Sequence, residues 1–262
     1  MEKIALYLYC LTPANNLDVL KELELPKLLG PICGEEVNGV GAVVSPVTDM
    51  SSWQDGARLN SLDWVTPRVL HHARVIERFW REAPVYPSGF GTLFSSRNRL
   101  RLLIEGHKMV LEDFFAATGG MAEWDIKIFF DPRHAEECWK AEQLRKKAEF
   151  SGLPAGRRYL AEQYLRKESQ QGAVARLETL SRQWAVRLAQ EGEGFRERPL
   201  PPAQESRRQA VGHWAVLWPE RASNLVDLME QAAAEFQSVG ADLQWSGPWP
   251  PYSFRPVLET DG

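Results

Sequence analysis

The chain has 262 residues, of which 44% are hydrophobic and 25% charged, and its formal net charge at pH 7 is −4. This composition predicts a globular protein with a sizeable core, divided into one large or two smaller domains. The negative charge disfavours binding to a nucleic-acid backbone, and the longest apolar run, Ile4–Leu11, is too short to span a bilayer.

The first part of the chain predicts an α+β domain. Its pattern of apolar and turn-forming residues indicates strands at Lys3–Leu11 and Val37–Ser45. Helices are predicted at Asp18–Leu29, Leu62–Glu82 and Ser96–Ala117. The pair Gly119-Gly120 ends the last of these helices and marks the domain boundary, so the N-terminal domain is expected to cover residues 1–119.

The second part predicts a second α+β domain at residues 120–246. A long helical region from Pro132 to about Gln190, with a break near Ser151–Pro154, carries a seam of apolar residues from Val174 to Leu188. The element order is strand, helix, strand, strand, helix, strand, which is the ferredoxin-like or split βαβ plan. The remaining elements are strands at Glu123–Phe130, within Gly194–Leu200, at Ala210–Trp218 and at Ala241–Trp245, and a helix at Ser223–Ser238.

A tail at residues 247–262 follows this domain, and it combines prolines with aromatic residues. The prolines stiffen the chain and remove N–H donors, which favours an extended segment, while Trp249, Tyr252 and Phe254 are too apolar for a solvated terminus. We expect these three side chains to be the docking residues of the tail. They either insert into a seam between the two domains or bind a partner protein.

Motifs that would indicate catalysis or a cofactor are weak. Gly39-Val40-Gly41 lacks the third small residue of a dinucleotide fingerprint. Ser88–Phe94 partly imitates the aromatic motif of RNA-binding sheets but lacks its basic first residue, so we interpret it as a tight turn packed between two helices. His71-His72 has no zinc-protease spacing. No catalytic, cofactor-binding or metal-binding residue is therefore expected.

The three cysteines are scattered along the sequence. Cys10, Cys33 and Cys138 show no paired spacing, so we expect reduced thiols in a cytoplasmic protein without a signal peptide. His134 and Cys138 are one helical turn apart and could ligate a metal, but no further ligand is close in sequence.

Several segments together resemble the GvpF/GvpL family of gas vesicle proteins. They occur in the order found in that family and span nearly the whole chain. The sequence departs from the family pattern at Ser88-Gly89, where an arginine is usual, and at His71-His72, where His-Glu is usual. The matching segments are Ala5–Cys10, Gly41–Ser45, Pro84–Pro87, Phe90–Ser96, Glu123–Lys127 and Ser246–Phe254.

The resemblance implies a protein that is not an enzyme and uses no cofactor. Such a protein would be a minor structural component or an assembly factor of the gas vesicle in the prokaryotic cytoplasm. Its expected partners are the major gas vesicle shell protein and other gas vesicle accessory proteins, with no nucleic acid and no lipid membrane. The alternatives are an RNA-binding module that uses an aromatic sheet surface and an uncharacterised small-molecule enzyme.

Overall fold

The computed structural model describes residues 5–26, 28–49, 51–146, 154–202, 208–221 and 224–259. The protein is a mixed helix-and-sheet protein, and the described strands form two separate antiparallel sheets. The chain divides into two compact units, one of Met1–Ala122 with Trp249–Gly262 and one of Glu123–Pro248. Among the described helices, none is both long and apolar enough to span a membrane. The domain boundaries expected from the sequence, 1–119 and 120–246, stay a prediction.

The N-terminal unit is built around strand β1, Ala5–Pro13. It pairs with β3, Val40–Val47, on one side and with the short strands β4, Tyr86–Pro87, and β5, Leu93–Phe94, on the other. Strand β2, Cys33–Val37, extends the sheet beyond β3. A register shift between Leu8 and Cys10 leaves Tyr9 as a bulge residue in β1.

Strands β2 and β3 form a tight hairpin where the sequence pattern predicted a single strand from Val37 to Ser45. The prediction is confirmed from Val40 onward, where β3 begins, and is wrong at its start, because Asn38 and Gly39 both adopt positive φ angles, 52° and 88°. An Asn-Gly pair with this geometry makes a two-residue turn that matches the twist of the strands. The Asn-Gly dipeptide is the sequence signal for this turn.

The helices of the N-terminal unit differ from prediction in two places. The predicted helix at Asp18–Leu29 is a 3-10 helix at Ala14–Glu22, without a side-chain N-cap. The predicted helix at Ser96–Ala117 is broken at His107, whose Nδ1 donates a hydrogen bond to the Leu103 carbonyl, 2.9 Å away. The α-helices are α1 at Ser51–Gln54, α2 at Gly56–Leu59, α3 at Leu62–Trp80, α4 at Arg97–Gly106 and α5 at Lys108–Thr118.

The first sheet is covered by helices on both faces. Leu6 and Leu8 of β1 belong to a buried cluster with α4 and α5 residues, including Leu100 and Phe114. Tyr7 and Tyr9 point to the opposite face and belong to a cluster that includes residues of α3 such as Phe79. The alternation of side chains along β1 therefore divides the core of this unit into two layers.

The C-terminal unit has one antiparallel sheet, with the spatial order β7-β8-β6-β9. Strands β7 and β8 form an antiparallel pair. The predicted break at Ser151–Leu153 lies outside the described residues. The elements are β6 at Met121–Phe130, α6 at Pro132–Lys146, α7 at Ala155–Glu191, β7 at Gly194–Glu197, β8 at Gln209–Pro219, α8 at Asn224–Ser238 and β9 at Ala241–Trp249.

The core of the C-terminal unit lies between one face of its sheet and helices α7 and α8. The seam predicted on α7 packs internally, with Leu177, Trp184 and Leu188 buried in the same cluster as Ile126 and Ile128 of β6. The seam therefore serves the internal packing of this unit. The alternating apolar residues of β6 likewise face this core, as their period of two requires.

Strand β9 continues to Trp249, four residues beyond the predicted end at Trp245. The extension includes Pro248, which is tolerated because β9 is an edge strand and one side of it carries no strand neighbour. Gly247 has a φ of +150°, and a Cβ there would come within 2.7 Å of the Trp124 ring. Only glycine fits this close approach.

Candidate functional site

The proline-aromatic tail lies against the N-terminal unit. Pro250 and Pro251 are buried, and two local hydrogen bonds turn the chain after them. The Tyr252 amide donates to the Pro250 carbonyl at 2.7 Å, and the Phe254 amide donates to the Pro251 carbonyl at 3.3 Å. The tail therefore begins with a compact turn, since these bonds close two short loops one after the other.

Apolar and polar contacts hold the rest of the tail. Phe254 and Leu258 pack against the buried cluster of β1, α4 and α5. The Tyr86 hydroxyl donates to the Pro256 carbonyl at 3.0 Å, and the Arg255 guanidinium donates to the Pro87 carbonyl at 2.9 Å. Two hydrogen bonds thus join the tail to strand β4. In one of them the side chain comes from β4, and in the other it comes from the tail.

The three predicted docking residues have different surroundings. Phe254 packs against the cluster beneath α4 and α5, and Tyr252 packs against the cluster beneath α3. Trp249, the last residue of β9, keeps 47% of its surface exposed. Insertion of the three aromatic residues into a seam between domains stays a prediction.

A buried network of tyrosine and histidine side chains lies between β1 and α3. The Tyr7 hydroxyl is 2.8 Å from Nδ1 of His72. The Tyr9 hydroxyl is 3.1 Å from the Ser45 hydroxyl and 3.3 Å from Nε2 of His71. Tyr9 lies two positions after Tyr7 and so faces α3 as well, where it can reach His71. These side chains are all less than 6% exposed.

The hydrogen bonds of His72 determine its tautomer. Its Nε2 lies 3.2 Å from the Ser88 carbonyl, which can only accept, so Nε2 carries the proton. Nδ1 then accepts the hydrogen bond from the Tyr7 hydroxyl. The Tyr7 oxygen in turn accepts from the Gly91 amide at 3.4 Å. A neutral His72 therefore makes both hydrogen bonds, one with the Tyr7 hydroxyl and one with the Ser88 carbonyl.

The electrostatics of the network favour uncharged groups. Burial is the largest cause that lowers the pKa of His72, to about 4. The hydrogen bond to the Ser88 carbonyl raises this pKa, and the electrostatic influence of His71 and of the tail residue Arg255 lowers it. Burial also lowers the pKa of His71 and raises the pKa of Tyr9 to about 12. The network is therefore neutral at physiological pH.

The glycine-rich segment at Ser88–Phe94 packs against this network. It connects β4 to β5, and therefore not two helices as predicted from the sequence. The Phe90 ring lies 5.9 Å from the His72 ring and 5.7 Å from the Trp53 ring. Gly91 supplies the positive φ of +84° that this turn needs. The aromatic side chain of the segment is thus used in packing.

The remaining sequence candidates form no larger cluster. His134 and Cys138 on α6 lie 3.8 Å apart, as their spacing of one helical turn predicts. In the described ranges, no three His, Cys, Asp or Glu side chains are arranged to hold a metal ion. In the same ranges, every buried side-chain nitrogen or oxygen has a hydrogen-bond partner.

A charged cluster in the C-terminal unit was not anticipated from the sequence. The Asp125 carboxylate of β6 accepts hydrogen bonds from Nε2 of His213 at 2.8 Å and from Arg198 at 3.2 Å, and it also pairs with Lys127. Nδ1 of His213 lies 2.7 Å from the Pro199 carbonyl. Both ring nitrogens of His213 therefore face hydrogen-bond acceptors. The signal was the alternation of Asp125 and Lys127 with apolar residues in β6.

The cluster keeps Asp125 ionised. Burial raises the pKa of this carboxyl, but hydrogen bonds and charges from Lys127 and His213 outweigh burial, so its pKa lies below the usual value. Asp125 lies at the centre of the cluster and interacts with each of its other members. The contacts of Arg198 and Pro199 hold the chain in place directly after β7.

Comparison with known proteins places these features in a family. The family model for gas vesicle synthesis protein GvpL/GvpF matches residues 5–256. Gas vesicle protein L of Streptomyces sp. strain CB03234 is 28% identical over 91% of this chain and 86% of its own length. Gas vesicle protein L1 of Halobacterium salinarum is 24% identical over 96% of this chain and 90% of its own length.

Two crystal structures share the fold. Gas vesicle protein GvpF from Anabaena sp. PCC7120 superposes with a TM-score of 0.66 at 16% identity, covering 98% of this chain and all of that one. GvpF from Microcystis aeruginosa gives a TM-score of 0.63 at 18% identity, covering 97% and 100%. The family match extends from strand β1 into the docked tail. The chain therefore belongs to the GvpL/GvpF family of gas vesicle synthesis proteins.

Proposed function

We propose that this protein acts in gas vesicle formation, as a minor structural component or assembly factor that binds the major shell protein. The observation that carries this proposal is the family match, which spans residues 5–256. The protein works at the gas vesicle by binding the shell protein and other accessory proteins, and it catalyses no reaction. In this role the protein binds the very apolar shell subunit, which would otherwise aggregate before assembly.

The C-terminal unit provides a ferredoxin-like scaffold for this role. The spatial order β7-β8-β6-β9 and the antiparallel pairing of β7 with β8 support this plan. The sheet is covered by α7 and α8 on one face. Helix α7, with 37 residues, is longer than the other helices of the unit and presents additional surface.

The start of α7 is the surface we assign to the shell protein. Tyr159, Leu160 and Tyr164 are 61%, 67% and 56% exposed, although each has a large apolar side chain. Single exposed apolar residues are ordinary, but three within six positions of one helix offer a continuous apolar contact. Contact with an apolar shell subunit would remove this surface from water.

The tail has two functions in this proposal. Tyr252 and Phe254 pack against core clusters of the N-terminal unit and hold the tail in place. Trp249 is the docking residue that contacts a partner, because it keeps about half of its surface exposed, at 47%. Aromatic side chains of this kind are common anchors in protein interfaces.

Co-purification with the shell protein tests the proposal. In cells that express both proteins, we expect the wild-type chain to retain the shell protein, and the variant Leu160→Ser with Tyr164→Ser to lose most of it. Trp249→Ala should weaken retention by itself. Met109→Ser is the matched control, since Met109 is 75% exposed on α5, away from these residues in the sequence.

Deletion of the gene supplies the second measurement. We expect electron micrographs of the deletion strain to show absent or misshapen vesicles, and the wild-type gene to restore them. Normal vesicles in the deletion strain, together with no co-purification of shell protein, would show that the proposed role is wrong. If the variant Leu160→Ser with Tyr164→Ser retained as much shell protein as the wild type, only the assignment of this surface would be wrong.

A further inference from the structure

An aromatic groove on the N-terminal unit is left unexplained by the proposed function. Its volume is about 420 Å³, and its lining residues come from the region before β2, the end of β3 and helices α1 and α3. Two tryptophans and two prolines give it flat apolar walls. We call it the Trp53–Trp64 groove, and its lining includes Leu28, Pro31, Pro46, Asp49, Trp53, Trp64 and Arg68.

The tryptophans of the groove are held rigidly. Their rings meet edge to face at 5.3 Å, and Arg68 stacks on Trp64 with its guanidinium carbon 4.1 Å from the ring centre. Trp53 also contacts the buried ring of Tyr7, at 5.1 Å, and the partly buried ring of Phe90, at 5.7 Å. A rigid aromatic groove is the kind of surface that binds polyproline II segments.

The chain itself carries a segment that suits such a groove. Residues 196–202 read Arg-Glu-Arg-Pro-Leu-Pro-Pro, in which Arg196, Pro199 and Pro202 are three positions apart. Arg196 and Glu197 are the last residues of strand β7. After the strand, Pro199 and Pro202 line up on one edge of a polyproline II helix, because that helix has three residues per turn. From Arg198 onward, each residue is a proline or precedes one, which favours the extended conformation. We call these residues the proline segment.

The proline segment is exposed and fixed at its base. All of its residues are exposed except Pro201, which is half-buried. The Arg198 amide donates to the His213 carbonyl at 2.9 Å, His213 Nδ1 donates to the Pro199 carbonyl, and Arg198 pairs with Asp125. This anchoring lowers the conformational entropy that docking would cost.

We propose that the Trp53–Trp64 groove of one copy binds the proline segment of a second copy. Pro199 and Pro202 pack on the tryptophan rings. The charges are complementary, since Glu197 at the end of β7 meets Arg68 of the groove. The contact joins two different surfaces, so association either closes into a ring of copies or continues into larger assemblies.

Sedimentation equilibrium over a range of concentrations tests this contact. We expect the wild-type mass to rise above that of the monomer with increasing concentration. Pro199→Ala with Pro202→Ala, and separately Trp64→Ala, should remain monomeric. The exposed-residue variant Met109→Ser should associate like the wild type. Wild-type association of the proline variant would overturn the proposal.

Mixing the two variants separates a lost contact from a folding defect. The Trp64→Ala chain keeps its segment, and the proline variant keeps its groove, so an equimolar mixture should form a one-to-one complex. A mixture that stays monomeric would contradict the proposal if both variants retain the wild-type circular dichroism spectrum.

A labelled peptide of residues 194–202 gives a direct readout. Its affinity for the wild-type chain, measured by fluorescence anisotropy, should fall about tenfold or more with Trp64→Ala or with alanines at both prolines of the peptide. Equal affinity for wild type and Trp64→Ala would reject the groove. The peptide could also bind while the wild-type chain stays monomeric at all concentrations. That result would reject a second copy as the occupant of the groove, in favour of a different proline-rich protein.

Discussion

At the scale of single residues, the buried tyrosine-histidine network shows what a sequence can and cannot reveal. The pattern of β1 predicts that Tyr7 and Tyr9 share one face of a strand. It does not predict the bulge at Tyr9, which depends on the pairing of β1 with β3. The pair His71-His72 is visible in the sequence, but its role depends on which strand α3 packs against. The network was therefore accessible only from the tertiary structure.

The low pKa of His72 predicts a loss of stability in mild acid. The native state holds His72 neutral with a pKa of about 4, while the unfolded chain has the ordinary value of 6.5. Protons therefore bind preferentially to the unfolded chain as the pH falls from 6.5 to 4, and the free energy of unfolding decreases by up to about 1.4 kcal/mol per pH unit. Urea unfolding at a series of pH values measures this slope.

The variant His72→Gln supplies the comparison. Glutamine retains a donor and an acceptor but does not titrate, so the stability of this variant should depend less steeply on pH in the same window. The native pKa of Asp125 lies below its usual value of 3.8, so its contribution to the free energy of unfolding is lost only below the pH window of His72. Parallel curves for the two proteins between pH 6.5 and 4 would contradict the assignment.

At the scale of elements, glycines mark the places where two elements approach closely. A Cβ at Gly172 of α7 would come within 2.5 Å of the Trp139 ring of α6. The sequence shows Gly172 only as a weak position within a predicted helix, because its partner lies 33 positions away in the sequence and on another helix. Close packing of α6 on α7 at this point explains the glycine.

Substitution of Gly172 by alanine should separate these two helices. The gain in helix propensity, about 1 kcal/mol, is smaller than the cost of overpacking, about 1–3 kcal/mol, so we expect a net loss of stability. Gly156→Ala is the control in the same helix, since no atom of the described residues lies within 4 Å of a Cβ there. That variant should gain about 1 kcal/mol. Thermal unfolding of both variants distinguishes them, and equal shifts would contradict the packing argument.

The elements were predictable where the pattern is strongly periodic. Strands β6 and β8 and helix α8 agree with prediction because burial of one face imposes a clear alternation or helical stripe. The β2–β3 hairpin was missed although Asn38-Gly39 gives its turn, and the end of β9 was missed because Pro248 normally excludes a strand. Whether a strand lies at an edge, where proline is tolerated, is a property of the assembled sheet.

At the scale of the whole molecule, the last segment of the chain completes the first unit. The composition of the tail predicted docking, since its aromatic residues are too apolar for solvent. Its docking surface could not be predicted, because the contacts of Phe254 with the cluster around Leu100 and Phe114 join residues about 150 positions apart. Contacts at such separation leave no local pattern in a sequence.

Removal of the Phe254 side chain should destabilise the N-terminal unit. Its ring packs against a core cluster, so we expect Phe254→Ala to lower the free energy of unfolding by about 2 kcal/mol, less than for a fully buried ring. Val257→Ala, at an 86% exposed position of the same segment, should change it by less than about 0.5 kcal/mol. Thermal unfolding followed by circular dichroism gives both values.

Truncation of residues 252–262 extends this test to binding. We expect a lower melting temperature, because the contacts of Tyr252, Phe254 and Leu258 are lost together. If the truncated chain melted like the wild type but no longer retained the shell protein, the tail would act as a ligand for the partner. Unchanged melting would show that residues 252–262 do not stabilise the N-terminal unit. The partner contact of Trp249, which this truncation retains, is tested by Trp249→Ala.

The docked tail also has a consequence for the order of events on the ribosome. Residues 5–122 emerge first, but their clusters lack Tyr252, Phe254 and Leu258 until the tail has been translated. The nascent N-terminal unit therefore exposes apolar surface while the C-terminal unit is synthesised, and it covers that surface only when the tail has left the ribosome. A protein interrupted during translation keeps that surface open, which makes it a recognisable substrate for chaperones and proteases.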